Sequence, residues 1–524
     1  MTKTKKHICF ALATVLAFTG VMSGCSDKQE TTQTGGGDKM ELEVMADLNT
    51  LNPDSPLIAE MEEELGVKLN FVAAPTGSAD DVRKAINLQF ASGDVPDLIP
   101  NVKFPDYYTY AQQGLVAEIP VELIKSEAPE IASWIEKNLY GESSWDYYKV
   151  DGKNYVIPSI WTIGEKFLTM AVREDWFNEV GITEMPDTMD EMEQALVKIK
   201  EAKNIYPLTG VTGGYKGGVY DFIFGAYGLY PKSFTEKDGK IIYGLVQPQA
   251  KQALELANRW YEMGLIDPEF VINTEEKVRE KWISEKAAVT TAAFYHAIPE
   301  EAYWGGVYHD KLLEKNPDAK TTVMMPPAGP NGERGVTQDN PIVNAGVCLS
   351  KEVEKDQEKL KKYLQLCNYQ LKEYKKLHIG REGETYQYDQ EGNIEWIPPY
   401  DQEERREEYG LGSASVAVAG FTDYDIDFSL KPKKYQQVLN DAISKATGKY
   451  DILGPAPRPI YQEKQEALER IADQALVDFI TGARNLSEFD AFVEEWMAAG
   501  GTEVLQEAQE YYQKLGLNNR EKAQ

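Results

Sequence analysis

Apolar and polar positions follow a regular order over residues 42–100. Short apolar runs predict strands, and the stretches between them, with apolar residues at helical spacing, predict helices. A potential cap followed by proline marks the start of the first helix. The predicted strands are residues 42–47, 67–74 and 96–100, and the predicted helices run from Pro56 to Gly66 and over residues 80–91. This order is typical of a parallel sheet with right-handed crossovers.

A second set of elements follows a predicted strand at residues 152–158, which returns to the first sheet. The new unit opens at residues 167–182, and residues 287–295 form another predicted strand. Two helices are expected in this unit, one starting at the capping box Thr188-x-x-Glu191 and one running from Pro248 to Gly264.

The rest of the chain has fewer strand signals and more helical ones. Dense proline and glycine at residues 321–335 are typical of a linker, and residues 344–350 predict a strand. Residues 355–377 predict an exposed, charged helix. The predicted C-terminal helices are residues 432–445, 460–481 and 487–515.

Composition limits the possible partners. The 524 residues include 55 Lys and Arg against 85 Asp and Glu, for a net charge of -30. This balance argues against nucleic acid and anionic lipid surfaces, which need basic patches, and it disfavours a strongly anionic ligand. The length exceeds what one hydrophobic core holds, so two lobes are expected.

The first residues have the features of an export signal. Three lysines precede an apolar run at residues 8–18 that is too short to span a bilayer. The run leads to Val-Met-Ser-Gly-Cys at residues 21–25, which resembles the lipobox of bacterial lipoproteins. The resemblance implies lipidation of Cys25 and a lipid-anchored protein on the extracellular face of the cell membrane. An ordinary secretory signal is the alternative.

Two cysteines, Cys348 and Cys367, lie beyond the signal region. They could pair in an oxidising compartment. Two buried free thiols are the favoured interpretation, because a large domain needs no covalent cross-link to be stable.

Seven segments share a further resemblance. They are Glu64–Phe71, Phe90–Ile99, Gln112–Ile119, Val172–Ile182, Tyr243–Phe270, Ile379–Asn393 and Ile480–Gly501. In this order they resemble the extracellular solute-binding proteins of carbohydrate ABC importers, in particular the large lipoproteins that bind oligosaccharides. The resemblance implies a monomer that binds an oligosaccharide, closes on it, and delivers it to the permease subunits of an ABC transporter.

The same resemblance implies an α/β fold of the two-lobed periplasmic-binding-protein type (type II). Each lobe would be a mixed β-sheet flanked by helices, and a hinge would join the lobes. The expected boundaries are 1–24 for a lipoprotein signal peptide, 25–40 for a flexible spacer, 41–165 and 323–395 for lobe 1, and 166–322 and 396–524 for lobe 2.

No metal or cofactor is expected. Some members of the subgroup carry a calcium loop where this chain reads KEAKNIYPLTG at residues 200–210, which lacks such ligands. Asp423, Asp425 and Asp427 copy the start of a calcium loop, but Phe428 replaces the required glycine and Lys434 the final glutamate. An acidic surface loop is therefore favoured there. The histidines are separated and lack metal spacing.

A saccharide presents apolar ring faces and many hydroxyl groups, so aromatic rings, carboxylates and Arg are suitable contacts. Candidates in loops near the expected hinge crossings are Trp161, Tyr295, Tyr303, Trp304, Arg381, Glu382 and Trp396. Each has a structural alternative: an aromatic ring can belong to the core, and Arg381 and Glu382 can hold a loop. Trp176 and Trp260 are assigned to the core, and the cluster Arg173–Asp175 to a helix start.

Catalysis has little support in the sequence, which lacks a G-x-S-x-G elbow, an H-E-x-x-H motif and a phosphate loop. The leading hypothesis is a membrane-anchored, non-enzymatic oligosaccharide-binding lipoprotein. The alternatives are a cell-surface enzyme acting on glycosides and a peptide-binding lipoprotein.

Overall fold

The computed structural model describes residues 39–212, 218–303, 306, 308–342, 344–418 and 421–517. Contacts divide the chain at Lys39, and all the elements below belong to the unit that begins at Met40. The expected signal peptide, Cys25 and all but the last residues of the expected spacer lie outside the described residues. No helix in the described ranges is long and apolar enough to cross a membrane.

The strands are short and spread along the chain. They are β1 Met40–Ala46, β2 Val67–Ala73, β3 Leu98–Val102, β4 Lys149–Val150, β5 Lys153–Asn154, β6 Ile157–Pro158, β7 Leu168–Arg173, β8 Phe234–Lys237, β9 Lys240–Tyr243, β10 Val289–Ala293, β11 Thr321–Met324, β12 Val336–Thr337, β13 Gly346–Leu349, β14 Tyr386–Tyr388, β15 Ile394–Trp396 and β16 Gly448–Lys449.

The α-helices separate and cover these strands. They are α1 Pro56–Leu65, α2 Ala79–Ser92, α3 Phe104–Gln112, α4 Val121–Glu127, α5 Pro129–Asn138, α6 Glu174–Glu179, α7 Met189–Lys203, α8 Asp221–Gly225, α9 Pro248–Glu262, α10 Glu275–Ile283, α11 Asp310–Lys315, α12 Gln357–Lys372, α13 Tyr374–Ile379, α14 Glu403–Tyr409, α15 Tyr424–Ser429, α16 Lys433–Ser444, α17 Pro459–Thr481, α18 Phe489–Trp496 and α19 Thr502–Lys514.

Two main sheets organise the fold. The first has the order β2-β1-β3-β13-β6, and the second has the order β10-β7-β11. β1 pairs in parallel with β2 and β3, as the strand–helix alternation predicts. β13 runs antiparallel to both β3 and β6. Since β13 follows the second sheet in sequence, the chain leaves the first sheet after β6 and returns to it at β13.

The two hydrophobic clusters follow these sheets. One packs around the first sheet with α1, α5 and α12, and it includes Leu411 and Phe421 from late in the chain. The larger cluster surrounds the second sheet and extends to Met45 and Ile99 of the first. It includes the buried Trp176 and Trp260, so both are core residues as predicted. Cys348 and Cys367 are buried free thiols, as favoured from the sequence.

Three sequence-based predictions are corrected. The expected linker at residues 321–335 begins with β11, which pairs with β7, because its Thr and Val residues continue the second sheet. The expected exposed helix is split into α12 and α13, and α12 buries Leu360, Leu364 and other apolar residues on one face. The last expected helix is divided into α18 and α19, where Gly500 has a φ of 118° that interrupts helical geometry.

The return at β13 depends on a glycine. Gly346 has a φ of 133°, and a Cβ atom there would lie 2.1 Å from the backbone oxygen of Ile157 in the neighbouring β6. Both the left-handed φ and this approach of two backbones exclude a side chain.

We expect Gly346→Ala to lower the free energy of unfolding by about 3 kcal/mol, because backbone strain and a backbone clash act together. Gly66→Ala is the control, since Gly66 has a φ of 67° but no atom lies within 4 Å of its added Cβ. This change should cost about 1 kcal/mol. If urea unfolding showed an equal loss in the free energy of unfolding for the two variants, the role given to the backbone contact would be wrong.

Candidate ligand-binding site

Two chain crossings between the sheets lie side by side. The backbone N–H of Ser159 donates to the oxygen of Ala345 at 3.3 Å, and that of Trp161 donates to the oxygen of Pro341 at 2.7 Å. The N–H of Asp339 donates to the oxygen of Gly164 at 3.2 Å. The outgoing and returning segments are therefore joined by backbone hydrogen bonds, as in a short antiparallel ladder.

The buried Gln338 strengthens this junction where β7 begins. Its side-chain oxygen accepts hydrogen bonds from the N–H groups of Phe167 and Leu168 at 3.0 and 2.9 Å. Its amide nitrogen donates to the oxygen of Leu168 at 2.8 Å and to that of Thr447 at 3.2 Å. One side chain thus holds the start of the second sheet to the returning segment and to a later part of the chain.

A third segment reaches the same region through α15. Asp423 caps this helix by accepting the N–H of Ile426, so the three aspartates form a helix start rather than an acidic surface loop. This corrects the loop expected from the sequence. Tyr424 forms a side-chain hydrogen bond with Trp161, in which the indole N–H is the donor. Among the described residues, no group of three potential ligands could hold a metal ion.

Aromatic rings from these segments form a continuous series, which we call the aromatic row. Neighbouring ring centroids are 4.5 to 5.8 Å apart, mostly in edge-to-face or tilted geometry. In order, its members are Trp161, Phe167, Tyr295, Tyr303, Phe428 and Tyr424. The row therefore connects the loop before β7, the residues after β10, and α15.

A cavity of about 740 Å³, the first cavity, opens beside one end of the row. Phe167 and Tyr295 line it together with residues of β10 and of the α10 start. Polar groups come from the start of α10 and the end of the second sheet: Thr274, Glu275, Glu276, Arg279, Thr291 and His296. This volume and mixture of rings with a few polar groups suit a small organic ligand.

His296 supplies an uncharged polar group to this cavity. Burial, aided by the nearby positive charge of Arg279, lowers the pKa of His296 to about 4. Its Nδ1 atom is buried and has no hydrogen-bond partner within the described residues. A neutral imidazole facing a cavity can exchange hydrogen bonds with a ligand hydroxyl without adding charge.

A second cavity of about 250 Å³ is lined by Trp396, His378, Asp427 and Lys431, among others. The Nζ atom of Lys431 is 5.5 Å from the centre of the Tyr303 ring, so this lining residue contacts a member of the aromatic row. The guanidinium of Arg406 covers the Trp396 ring at 5.0 Å.

The structure brings together part of the predicted site. Trp161, Tyr295 and Tyr303 lie in one aromatic row, and Trp396 lines the second cavity. Arg381 forms an ion pair with Glu60 of α1, and exposed Glu382 precedes the β14 turn. The contacts of these two residues are therefore with other parts of the chain than the aromatic row. Trp304 is outside the described residues.

Sequence reasoning missed Phe167, Arg279 and His296. Phe167 was singled out only as the first residue of a new unit, and Arg279 lies in a helix that the patterns did not predict. The position of His296 directly after Tyr295, at the end of β10, was a usable signal, because residues at the ends of strands often line a site.

The sequence profile described as "Bacterial extracellular solute-binding protein" matches residues 50–366, which is more than half of the chain. The chain belongs to this family. The family resemblance drawn from the seven segments is confirmed, and the protein is one of the extracellular solute-binding proteins.

Known relatives match nearly the whole chain. Lipoprotein LipO of Bacillus subtilis is 24% identical over 97% of this chain and 98% of its own length. Polygalacturonan/rhamnogalacturonan-binding protein YtcQ of the same species is 21% identical over 95% of this chain and 97% of its own.

A third relative supplies a solved structure for comparison. The fructooligosaccharide ABC transporter substrate-binding protein FusA of Streptococcus pneumoniae is 26% identical over 58% of this chain and 56% of its own. Its structure with kestose superimposes with a TM-score of 0.58, covering 91% of this chain and 99% of that chain at 18% identity. The predicted two-lobed α/β fold is confirmed.

The contacts of Arg381 generate a prediction about pH. Burial opposes ionisation of Glu60, but Arg381 and Lys376 outweigh it and lower the pKa of Glu60 from 4.5 to about 2. A lowered pKa in the folded state adds stability above pH 4.5, and this contribution is lost as the pH falls toward 2.

We therefore expect Glu60→Gln to lose about 1 kcal/mol of stability at neutral pH, a discounted value for a partly exposed ion pair. The difference from the unaltered protein should shrink in chemical denaturation as the pH drops below 4.5. Glu63→Gln, at an exposed position of the same helix, should change stability little at any pH. A constant Glu60→Gln deficit down to the lowest pH at which the protein folds would contradict the assignment.

Proposed function

We propose that this protein captures a saccharide in the first cavity, against the aromatic row, and delivers it to the permease of an ABC importer. The observation that carries the proposal is the row itself. Six rings from three separate chain segments form one series, and two of them, Phe167 and Tyr295, line a cavity whose polar groups suit hydroxyls.

The chemistry of the cavity supports a saccharide. Flat rings cover the apolar C–H faces of a sugar, while carboxylates, threonine hydroxyls, Arg279 and neutral His296 can bond its hydroxyls. FusA is named for a fructooligosaccharide and YtcQ for polygalacturonan and rhamnogalacturonan, which supports the same ligand class. One name describes a neutral ligand and the other an acidic one, so the names leave the charge of the ligand open.

Capture would proceed by closure of two lobes about the junction of the three segments. Residues 41–165 and 323–395 would form lobe 1, and residues 166–322 with the C-terminal part would form lobe 2. The packing of Leu411 and Phe421 with the first sheet supports ending lobe 1 near residue 421 rather than at 395. A ligand that touches both sides would stabilise the closed state.

The same proposal includes a lipid on Cys25, a spacer to residue 40 and a location on the outer face of the cell membrane. LipO, a lipoprotein over nearly the same length, supports the anchor. The protein would act as a monomer and would catalyse no reaction. A permease would accept the closed, loaded form.

A binding screen tests the proposal directly. Purified protein is titrated with oligosaccharides and with short peptides by calorimetry, and each mixture is checked for cleavage products. We expect saturable binding of at least one saccharide, a smaller radius of gyration in X-ray scattering when it is bound, and no product. Peptide binding alone, or turnover of a glycoside, would replace the proposal with one of its alternatives.

We expect Tyr295→Ala to weaken binding of the saccharide by about 2 kcal/mol, roughly thirty-fold in Kd, because a ring of the aromatic row that lines the first cavity is lost. The matched control is Tyr206→Ala, a ring of lobe 2 that is 47% exposed and lines neither cavity. Its Kd should be unchanged.

Thermal unfolding without ligand must accompany both measurements, because Tyr295 also packs on Phe167. An unchanged Kd in a folded Tyr295→Ala variant would remove the row from the binding site.

A further inference from the structure

The charges around the two cavities are unbalanced. Glu275 and Glu276 line the first cavity, and among its described lining residues Arg279 is the one permanent cation. Arg279 has a carboxylate beside it, since its guanidinium lies 3.9 Å from Glu276. Arg279, the one permanent cation among these described lining residues, therefore has a carboxylate nearby.

The start of α10 would otherwise attract an anion. A helix N-terminus carries partial positive charge, and this nine-residue helix begins at the cavity with Thr274 as its cap. Glu275 and Glu276 occupy the first turn, so their own carboxylates offset that charge. A carboxylate brought in by a ligand would face two like charges instead of free N–H groups.

The two histidines do not supply the missing positive charge. His296 remains neutral near pH 7 because burial lowers its pKa, and burial also lowers the pKa of His378 in the second cavity. In that cavity Lys431 is accompanied by Asp427. The two described linings together hold three carboxylates against two cations.

We propose that the site selects neutral saccharides and excludes saccharides that contain uronic acid. This inference rests on the proposed function, since it specifies the ligand class of the same cavity. Neutral hydroxyls are good donors to Glu275 and Glu276, whereas a chain of uronates places a negative charge on every sugar unit. Glu276 is 72% exposed, so the repulsion between these like charges is strongest at low ionic strength, and a specific site rejects such a ligand through the unpaired charge.

The first test is a paired panel. Neutral oligomers of fructose, glucose, galactose and xylose are compared with oligomers of galacturonate, glucuronate and mannuronate of equal length at low ionic strength. We expect the tightest neutral oligomer to bind at least ten-fold more tightly than any uronate. Added salt should strengthen residual uronate binding by screening the repulsion, and it should leave neutral binding nearly unchanged.

The outcomes separate the two proposals. A uronate as the tightest ligand, or uronate binding that weakens with salt, would overturn the selectivity while the saccharide-binding function remained. Binding of no oligosaccharide at all would overturn both.

A charge variant tests which residues exclude the uronates. In the double variant Glu275→Gln and Glu276→Gln, the side chains keep their size but lose both charges, and Arg279 is left without its partner. We expect the ratio of uronate affinity to neutral affinity to rise at least five-fold, measured by competition at millimolar ligand.

The matched control is Glu403→Gln with Glu404→Gln. These two residues are also consecutive acids in the first turn of a helix, but they line neither cavity. Their replacement removes the same net charge, so it reports the effect of the overall field alone. An equal rise in both double variants would show that the local carboxylates do not carry the selectivity.

Discussion

The pairing of β13 between β3 and β6 is the constraint on which the rest of the structure depends. This strand comes back from the second sheet and completes the first, so the departing and returning segments must run next to each other. Gly346 permits the approach because a side chain there would overlap the backbone of β6. The hydrogen bonds of Ser159, Trp161 and Asp339 then continue the pairing beyond the sheet, into the junction between the two halves of the fold.

This junction explains why the aromatic row forms there. Its rings come from the outgoing segment, from the end of the second sheet and from α15, and they meet only because those three parts converge. Gln338 fixes the first of these parts with hydrogen bonds to the backbone at Phe167 and Leu168.

Local sequence patterns were sufficient to predict the helices and strands that depend mainly on their own residues. β1 to β3, α1, α2 and the capping box of α7 follow from periodicity, proline placement and caps. The patterns failed where tertiary contact decides: Thr321–Met324 is a strand because β7 offers an edge, and α12 is buried because the first sheet covers one face. For the same reason the chain order singled out Trp161, Tyr295 and Tyr303 of the aromatic row but not Phe167 of that row or Arg279 of the first cavity. It also grouped with them Arg381, whose contacts are with Glu60.

The charge of the whole chain and the charge of the cavity act in the same direction. A net charge of -30 disfavours the approach of an anionic polymer over the range of a Debye length, about 8 Å at physiological salt. Glu275 and Glu276 would oppose the same polymer at contact, where the separation of the charges is shortest. Neither effect acts on a neutral saccharide, so its recognition would depend on aromatic rings and on hydrogen-bond partners for its hydroxyls. Burial of His296 fits this division, because a neutral imidazole keeps its hydrogen-bonding capacity and adds no attraction for anions.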